Sequence, residues 1–154
     1  MYKRQRKADT KNLPIGGGKD YPKVSLAQID YLKNLTAQTG LGDLQPKKLF
    51  YRYGTRATQL AQYIQAGTDT ALSSKPDWSR REVEFLIENE KAVHVDDLIL
   101  RRSTLAWLGD VTLPLITELA GIMGDCLGWS GAQKAQEVQR TVSILKDQHW
   151  VSLA

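Results

Sequence analysis

The residues of this chain best suited to chemistry lie between Ser79 and Trp129, where carboxylates and paired arginines stand among apolar helix positions. Glu82, Glu84 and Glu90 come first, Asp96 and Asp97 next, then Arg101 and Arg102. Asp97 and Arg101 are four apart, the spacing of an ion pair along one helix face, worth about 0.2–0.5 kcal/mol when exposed. Glu82 and Glu90 come within reach of Arg101 or Arg102 if their helices pack together. The set Glu82, Glu90, Asp97, Arg101 and Arg102 therefore reads as a structural ion-pair network tying two helices. A sharper reading makes Arg101 and Arg102 an anion site gripping a phosphate.

Other candidates point to ordinary structure. His94 and His149 are the two histidines and Cys126 the single cysteine, so no metal-ligand spacing exists. His94 reads as a helix-start residue. Cys126 falls on the apolar stripe of its helix and is expected to be a buried, inert thiol. Gly16-Gly17-Gly18 invites a phosphate-cradle reading, but Pro14 precedes it where a dinucleotide loop needs a strand. A simple turn is expected there. Phe50-Tyr51-Arg52-Tyr53 interleaves rings with a cation as base-stacking platforms do. A helix ending at Gly54 would instead turn two rings inward and Arg52 outward.

The elements that must position these residues are helical. Apolar residues recur with helical period over about 26–39, 46–53, 55–66, 80–90, 94–107, 111–127 and 131–149, and 68–78 is the one long loop. Ser25-x-x-Gln28, Ser79-x-x-Glu82 and Ser130-x-x-Gln133 have the form of capping boxes. Gly40, Gly54, Gly67 and Gly128 follow periodic segments, where a left-handed closing residue is wanted. Asp96 and Asp97 early and Arg101 and Arg102 late suit the dipole of the 94–107 helix. The last helix is expected to bury Ala135, Val138, Val142 and Leu145. No sustained alternation bounded by a hairpin turn occurs. The expectation is an all-α domain of six or seven helices over 24–152, behind a linker at 1–23. The opening Met1-Tyr2-Lys3-Arg4-Gln5 reads as an artefact of sequence assembly.

At 154 residues the chain has room for one domain with a core of its own. One cysteine excludes an internal disulfide and implies a reducing compartment. No apolar run approaches the roughly 20 residues of a membrane-spanning helix. The net charge of +4 sits on the linker: residues 1–23 hold seven Lys/Arg and two Asp, while 24–154 carry fourteen Lys/Arg against fifteen Asp/Glu. A nucleic-acid binder shows its basic surface on the folded domain, so a helix-turn-helix reading is disfavoured and no nucleic-acid partner is expected. The basic linker suits a solvated tether, with contact to an anionic lipid surface as the alternative.

Four stretches resemble one family. Leu13-Pro14-Ile15-Gly16-Gly17-Gly18 is similar to the leucine–proline–glycine turn that follows the flavin domain of FAD-dependent glycerol-3-phosphate dehydrogenases. Tyr53-Gly54-Thr55-Arg56 resembles that family's tyrosine–glycine helix junction. Glu82-Val83-x-Phe85 with Glu90, then Asp96-Asp97-Leu98-x-x-Arg101-Arg102-Ser103-x-Leu105, resembles its C-terminal signature. Met123 through Trp129, with Ala132, Lys134 and Glu137, is similar to its closing pair of helices.

The resemblance implies the C-terminal helical cap domain of an enzyme that oxidises sn-glycerol 3-phosphate to dihydroxyacetone phosphate. Hydride would go to FAD and electrons to a quinone, or to oxygen in the oxidase branch. The family's flavin and substrate residues all lie upstream of the leucine–proline turn, so none carries over to a position here. The fragment alone is thus expected to bind no FAD, to be inactive, and to pack against an N-terminal flavin domain. The resemblance also implies a homo-oligomer, and a cytoplasmic enzyme peripheral to the membrane. The alternative is a freestanding helical adaptor using Arg52, Arg56, Arg101 and Arg102 to bind an acidic partner.

Overall fold

A computed structural model describes residues 11, 13, 15–42, 44–151 and 153. The expectation for Met1–Gln5 lies outside them. Among the described residues the fold is all-α, with seven helices and one isolated bridge between Ala71 and Ser79. None of these helices is long and apolar enough to cross a membrane. The chain forms two compact units, Met1–Ala61 and Gln62–Ala154.

In the first unit, α1 (Ser25–Thr39) and α2 (Leu44–Tyr53) pack together, and a 3-10 turn (Gly54–Arg56) leads into α3 (Ala57–Gln65), inside which the unit ends. Leu35, Leu49 and Phe50 are buried. Phe50 is the hub: Tyr21 stacks on it at 5.1 Å and Tyr31 tilts against it at 4.9 Å. Such ring pairs add about 0.5–1.5 kcal/mol beyond their buried area. Tyr31 is held by its hydroxyl, 2.6 Å from Thr58 Oγ1. The 50–53 stretch thus serves packing, with one difference from expectation: Phe50 points in, Tyr53 is half-buried and Tyr51 is exposed.

The expected capping box at Ser25 does not form. The helix starts one residue earlier, with Val24 as N-cap, and Gln28 Nε2 donates to Pro22 O at 3.0 Å instead. Gly40 closes the helix at φ 62°, as its position suggested.

The second unit contains α4 (Arg80–Glu90), α5 (Val95–Asp97), α6 (Leu113–Leu127) and α7 (Gly131–His149). α6 is the centre, packed on α4, α5 and α7, and it buries Leu115, Ile116, Leu119, Ala120, Ile122 and Met123. Each fully buried Leu, Ile or Met side chain among them contributes about 1.5–3 kcal/mol. Ser79 and Thr112 cap α4 and α6 through their hydroxyls, and Ser130 with Gln133 forms the full capping box of α7.

Two local expectations are corrected here. The helix expected over 94–107 is one α-turn that widens into a π-turn, Leu98–Arg102, and stops at extended Ser103 (φ −140°). The wide turn lets adjacent Leu98 and Ile99 both face the core while Arg101 and Arg102 both face solvent. Gly67 does not adopt a left-handed conformation. It is small because the Arg81 guanidinium lies over it, and an added Cβ would sit 2.7 Å from Nη1. The 68–78 loop is anchored to the core by Leu72 and Trp78, 2% and 4% exposed.

Candidate functional site

One group of ionisable side chains in the second unit lies where α5 meets α7. Asp96 and Glu137 are buried, 6% and 8% exposed, and one cation serves both. Arg140 Nη1 donates to Asp96 Oδ1 in a very short contact and to Glu137 Oε1 at 3.0 Å. His94 completes the group, its Nδ1 3.1 Å from both Glu137 oxygens. Val95 N donates to Glu137 Oε1 at 3.4 Å. The hydrogen bond to Asp96 raises the Arg140 pKa above its ordinary value against the cost of burial.

The capping of α5 explains how His94 arrives there. Asp97 Oδ2 accepts from His94 N at 3.2 Å, so Asp97 fixes the helix start while Asp96 turns inward to Arg140. His94 is a helix-start residue as expected, and it is also a partner of Glu137. The ligand atoms of His94, Asp96 and Glu137 lie within 4.8 Å of one another, a metal-like triad. Arg140 already supplies the positive charge to both carboxylates, so the group works as an ionic clamp between α5 and α7.

A second cluster joins α4, α6 and α7. Arg80 bonds Glu84 at 2.8 Å and Asp125 at 2.9 Å, and Lys134 Nζ reaches Asp125 at 2.7 Å. Hydrogen bonds from Lys134, then Arg80, hold the Asp125 carboxyl below its usual range. Gly124 makes this possible, because a Cβ there would lie 2.1 Å from Lys134 Cε. Next to it Glu118 gathers the 68–78 loop, accepting from Ser73 N at 2.8 Å and Ser74 N at 2.9 Å as well as from both hydroxyls. Burial opposes its charge, but these donors outweigh burial and lower its pKa.

Of the expected network, Arg101 Nη1 does bond Asp97 Oδ1, at 2.8 Å along the helix, and its side chain is 67% exposed. Arg102 is exposed, while Glu82 is 2% exposed on α4. Ionic ties between helices also run through Asp96, Arg140, Arg80, Asp125 and Lys134. Glu137 and Arg140 stand three apart on α7, a spacing visible in the sequence. The apolar pattern hid it: the helix buries Glu137, Thr141 and Leu145, whereas Ala135 is exposed and Val138 and Val142 are half-buried.

Cys126 is a further correction. It is exposed, because the last turn of α6 runs past the core and leaves Leu127 40% exposed too. Partial burial of its thiol, then Glu84, still raises its pKa.

In the first unit the Gly16–Gly18 turn is docked on the Tyr53–Arg56 junction. Thr55 N donates to Gly17 O at 3.0 Å, and Thr55 Oγ1 donates to Lys19 O at 2.7 Å. Gly17 and Gly54 have φ 81° and 58°. A Cβ on Gly17 would lie 2.3 Å from Tyr53 O, and one on Gly54 2.1 Å from Gly17 O. The glycines serve this contact, and the turn opens no helix onto a phosphate, so these residues do not fit a flavin dinucleotide.

Two stretches of the resemblance, far apart in sequence, thus form one piece of structure. Residues 8–134 match the family described as the C-terminal domain of alpha-glycerophosphate oxidase. The chain belongs to this family. It is 30% identical over 138 residues to a probable glycerol-3-phosphate dehydrogenase of Encephalitozoon cuniculi (strain GB-M1), covering 88% of this chain and 21% of that one. It is 27% identical over 142 residues to a probable mitochondrial glycerol-3-phosphate dehydrogenase of Dictyostelium discoideum, covering 89% and 21%. The chain thus spans about a fifth of the length of these relatives. No solved structure matches it.

Proposed function

We propose that this family domain serves a flavin-dependent glycerol-3-phosphate dehydrogenase as its helical cap, without supplying catalytic groups itself. The whole enzyme would oxidise sn-glycerol 3-phosphate to dihydroxyacetone phosphate with FAD, passing electrons to a quinone, in the cytoplasm at or near the membrane. The observation that carries this reading is the family match over residues 8–134. The names of the two relatives support the substrate. The chemistry of this chain supports the division of labour. Its clustered carboxylates are met by its own Arg140, Arg80 and Lys134, and its glycine turn serves packing.

Apolar side chains left uncovered support a large partner. In the first unit Ile15, Val24 and Leu26 are 80%, 63% and 75% exposed. Exposed apolar side chains gain most from being covered by a partner. A flavin-bearing portion of the same polypeptide is the partner this reading requires, with homo-oligomer contacts beyond it.

The test compares this 154-residue chain with a full-length relative in which it replaces the matching stretch. The chain alone should be colourless and should not reduce a dye with glycerol 3-phosphate, and the full-length protein should be yellow and active. A yellow, dye-reducing chain would falsify the claim that this domain contributes no site.

A further inference from the structure

The stretch Asp97–Leu105 carries most of the C-terminal signature, yet the ionic clamp uses little of it. Its structural product is the turn that follows. The π-turn ends at Arg102, and Ser103 Oγ donates to Ile99 O at 3.4 Å while accepting from Leu105 N at 3.3 Å. Leu105, 2% exposed, then plants the segment in the core. Three backbone bonds close the tip: Leu108 N to Thr104 O at 3.0 Å, Gly109 N to Ala106 O at 3.2 Å, and Asp110 N to Leu105 O at 3.0 Å. Gly109 supplies the left-handed residue this requires, with φ 71°. On this braced turn Trp107 and Leu108 stand 87% and 69% exposed, with Leu113 at 46% just beyond.

An exposed Trp–Leu pair on a loose loop would be unremarkable, but a pair whose backbone is already fixed pays little entropy on docking. Rigid aromatic anchors of this kind dominate the energy of protein interfaces. Charge helps to choose the occupant. Arg101 is tied to Asp97, and Lys75 to Asp110 at 3.1 Å and Asp77 at 3.4 Å, so two of the cations flanking the tip are neutralised and exposed Arg102 stands beside them as a single charge rather than a basic cluster. An anionic lipid surface wants an uncompensated basic cluster. A protein pocket wants this near-neutral, apolar-centred tip.

We infer that Trp107 and Leu108 are the anchor by which this domain docks into a pocket of the flavin-bearing portion. The inference rests on the proposed function; the relatives are about five times as long as the stretch they share with this chain, which leaves room for such a portion.

Hydroxyl-radical footprinting read by mass spectrometry tests it, on the full-length chimera and on the chain alone. Trp78, 4% exposed, and Trp150, 88% exposed, are the internal standards. In the chain alone Trp107 should oxidise as fast as Trp150, and in the full-length protein its rate should fall to that of Trp78. Trp107→Ser with Leu108→Ser should leave the melting temperature of the chain alone unchanged, yet split the full-length protein into two separate transitions. A folded, active full-length protein whose Trp107 stays as reactive as Trp150 overturns the anchor and leaves the proposed function standing. A full-length chimera that does not fold as one unit or turn over glycerol 3-phosphate counts against both. Protection of Trp107 in the chain alone by phosphatidylglycerol vesicles, or by raising chain concentration, overturns the inference in favour of a membrane or a second copy.

Discussion

Gly17 and Gly54 meet backbone to backbone, each in a left-handed conformation: a Cβ on Gly54 would need the space of Gly17 O, and one on Gly17 the space of Tyr53 O beside Gly54. Neither glycine alone demands the other. Together with the Thr55 hydrogen bonds they lock a turn onto a helix junction 37 positions away.

Replacing Gly54 with Ala should therefore be costly. The left-handed backbone alone adds about 1–3 kcal/mol for a non-glycine residue, and the Cβ would also push Gly17 O away and break its bond to Thr55. Gly17→Ala should behave alike. Gly42→Ala is the control, because a Cβ there meets nothing within 4 Å. Chemical denaturation of the three variants checks this, and equal stability of all three would refute the lock.

Arg140→Met should destabilise the second unit by about 2–4 kcal/mol. The figure is set below that of a fully buried pair because the Arg140 side chain is 39% exposed. The loss comes from leaving Asp96 and Glu137 adjacent with no cation. Adding Asp96→Asn should recover part of it, a coupling that a double-mutant cycle in urea would measure. Strict additivity of the two changes would rule out the clamp.

Glu118 sets an acid limit. Its folded pKa is lowered from the ordinary 4.5, so between the two values the unfolded chain binds the extra proton. Its contribution is present above pH 4.5 and is lost as pH falls through the folded value. Glu118→Gln should flatten the stability-versus-pH curve in that window and free the 68–78 loop to protease. An unchanged acid slope in the variant would show that the serines do not stabilise the charged form.

Cys126 should be titratable by a thiol reagent in the native protein, because it is exposed. Its raised pKa should make the reaction slow at neutral pH and still accelerating above pH 9.0, the ordinary thiol value. A thiol that reacts only after denaturation would restore the buried reading.

Much of the fold was legible in the sequence because helices are local. Apolar spacing located six of the seven helices to within a few residues, and Ser79, Ser130, Gly40 and Gly128 marked ends where a hydroxyl or a left-handed residue satisfies the helix's own backbone. The family signature was legible too, since it is a matter of residue order.

What the tertiary structure decided depends on partners distant in the chain. Sequence period placed Val138 and Val142 on the inner face of α7, whereas Glu137 is buried there because Arg140, His94 and the start of α5 meet its charge. Similarly, Asp97–Arg101 was readable as a local pair, but Asp96–Arg140 spans 44 positions and has no local trace. The π-turn, the exposure of Cys126 and the outward stance of Trp107 follow from where the core ends, which no window of sequence contains. Local hydrogen bonding and periodicity write the elements into the chain, while the burial of charge and the reach of the core are settled when those elements pack.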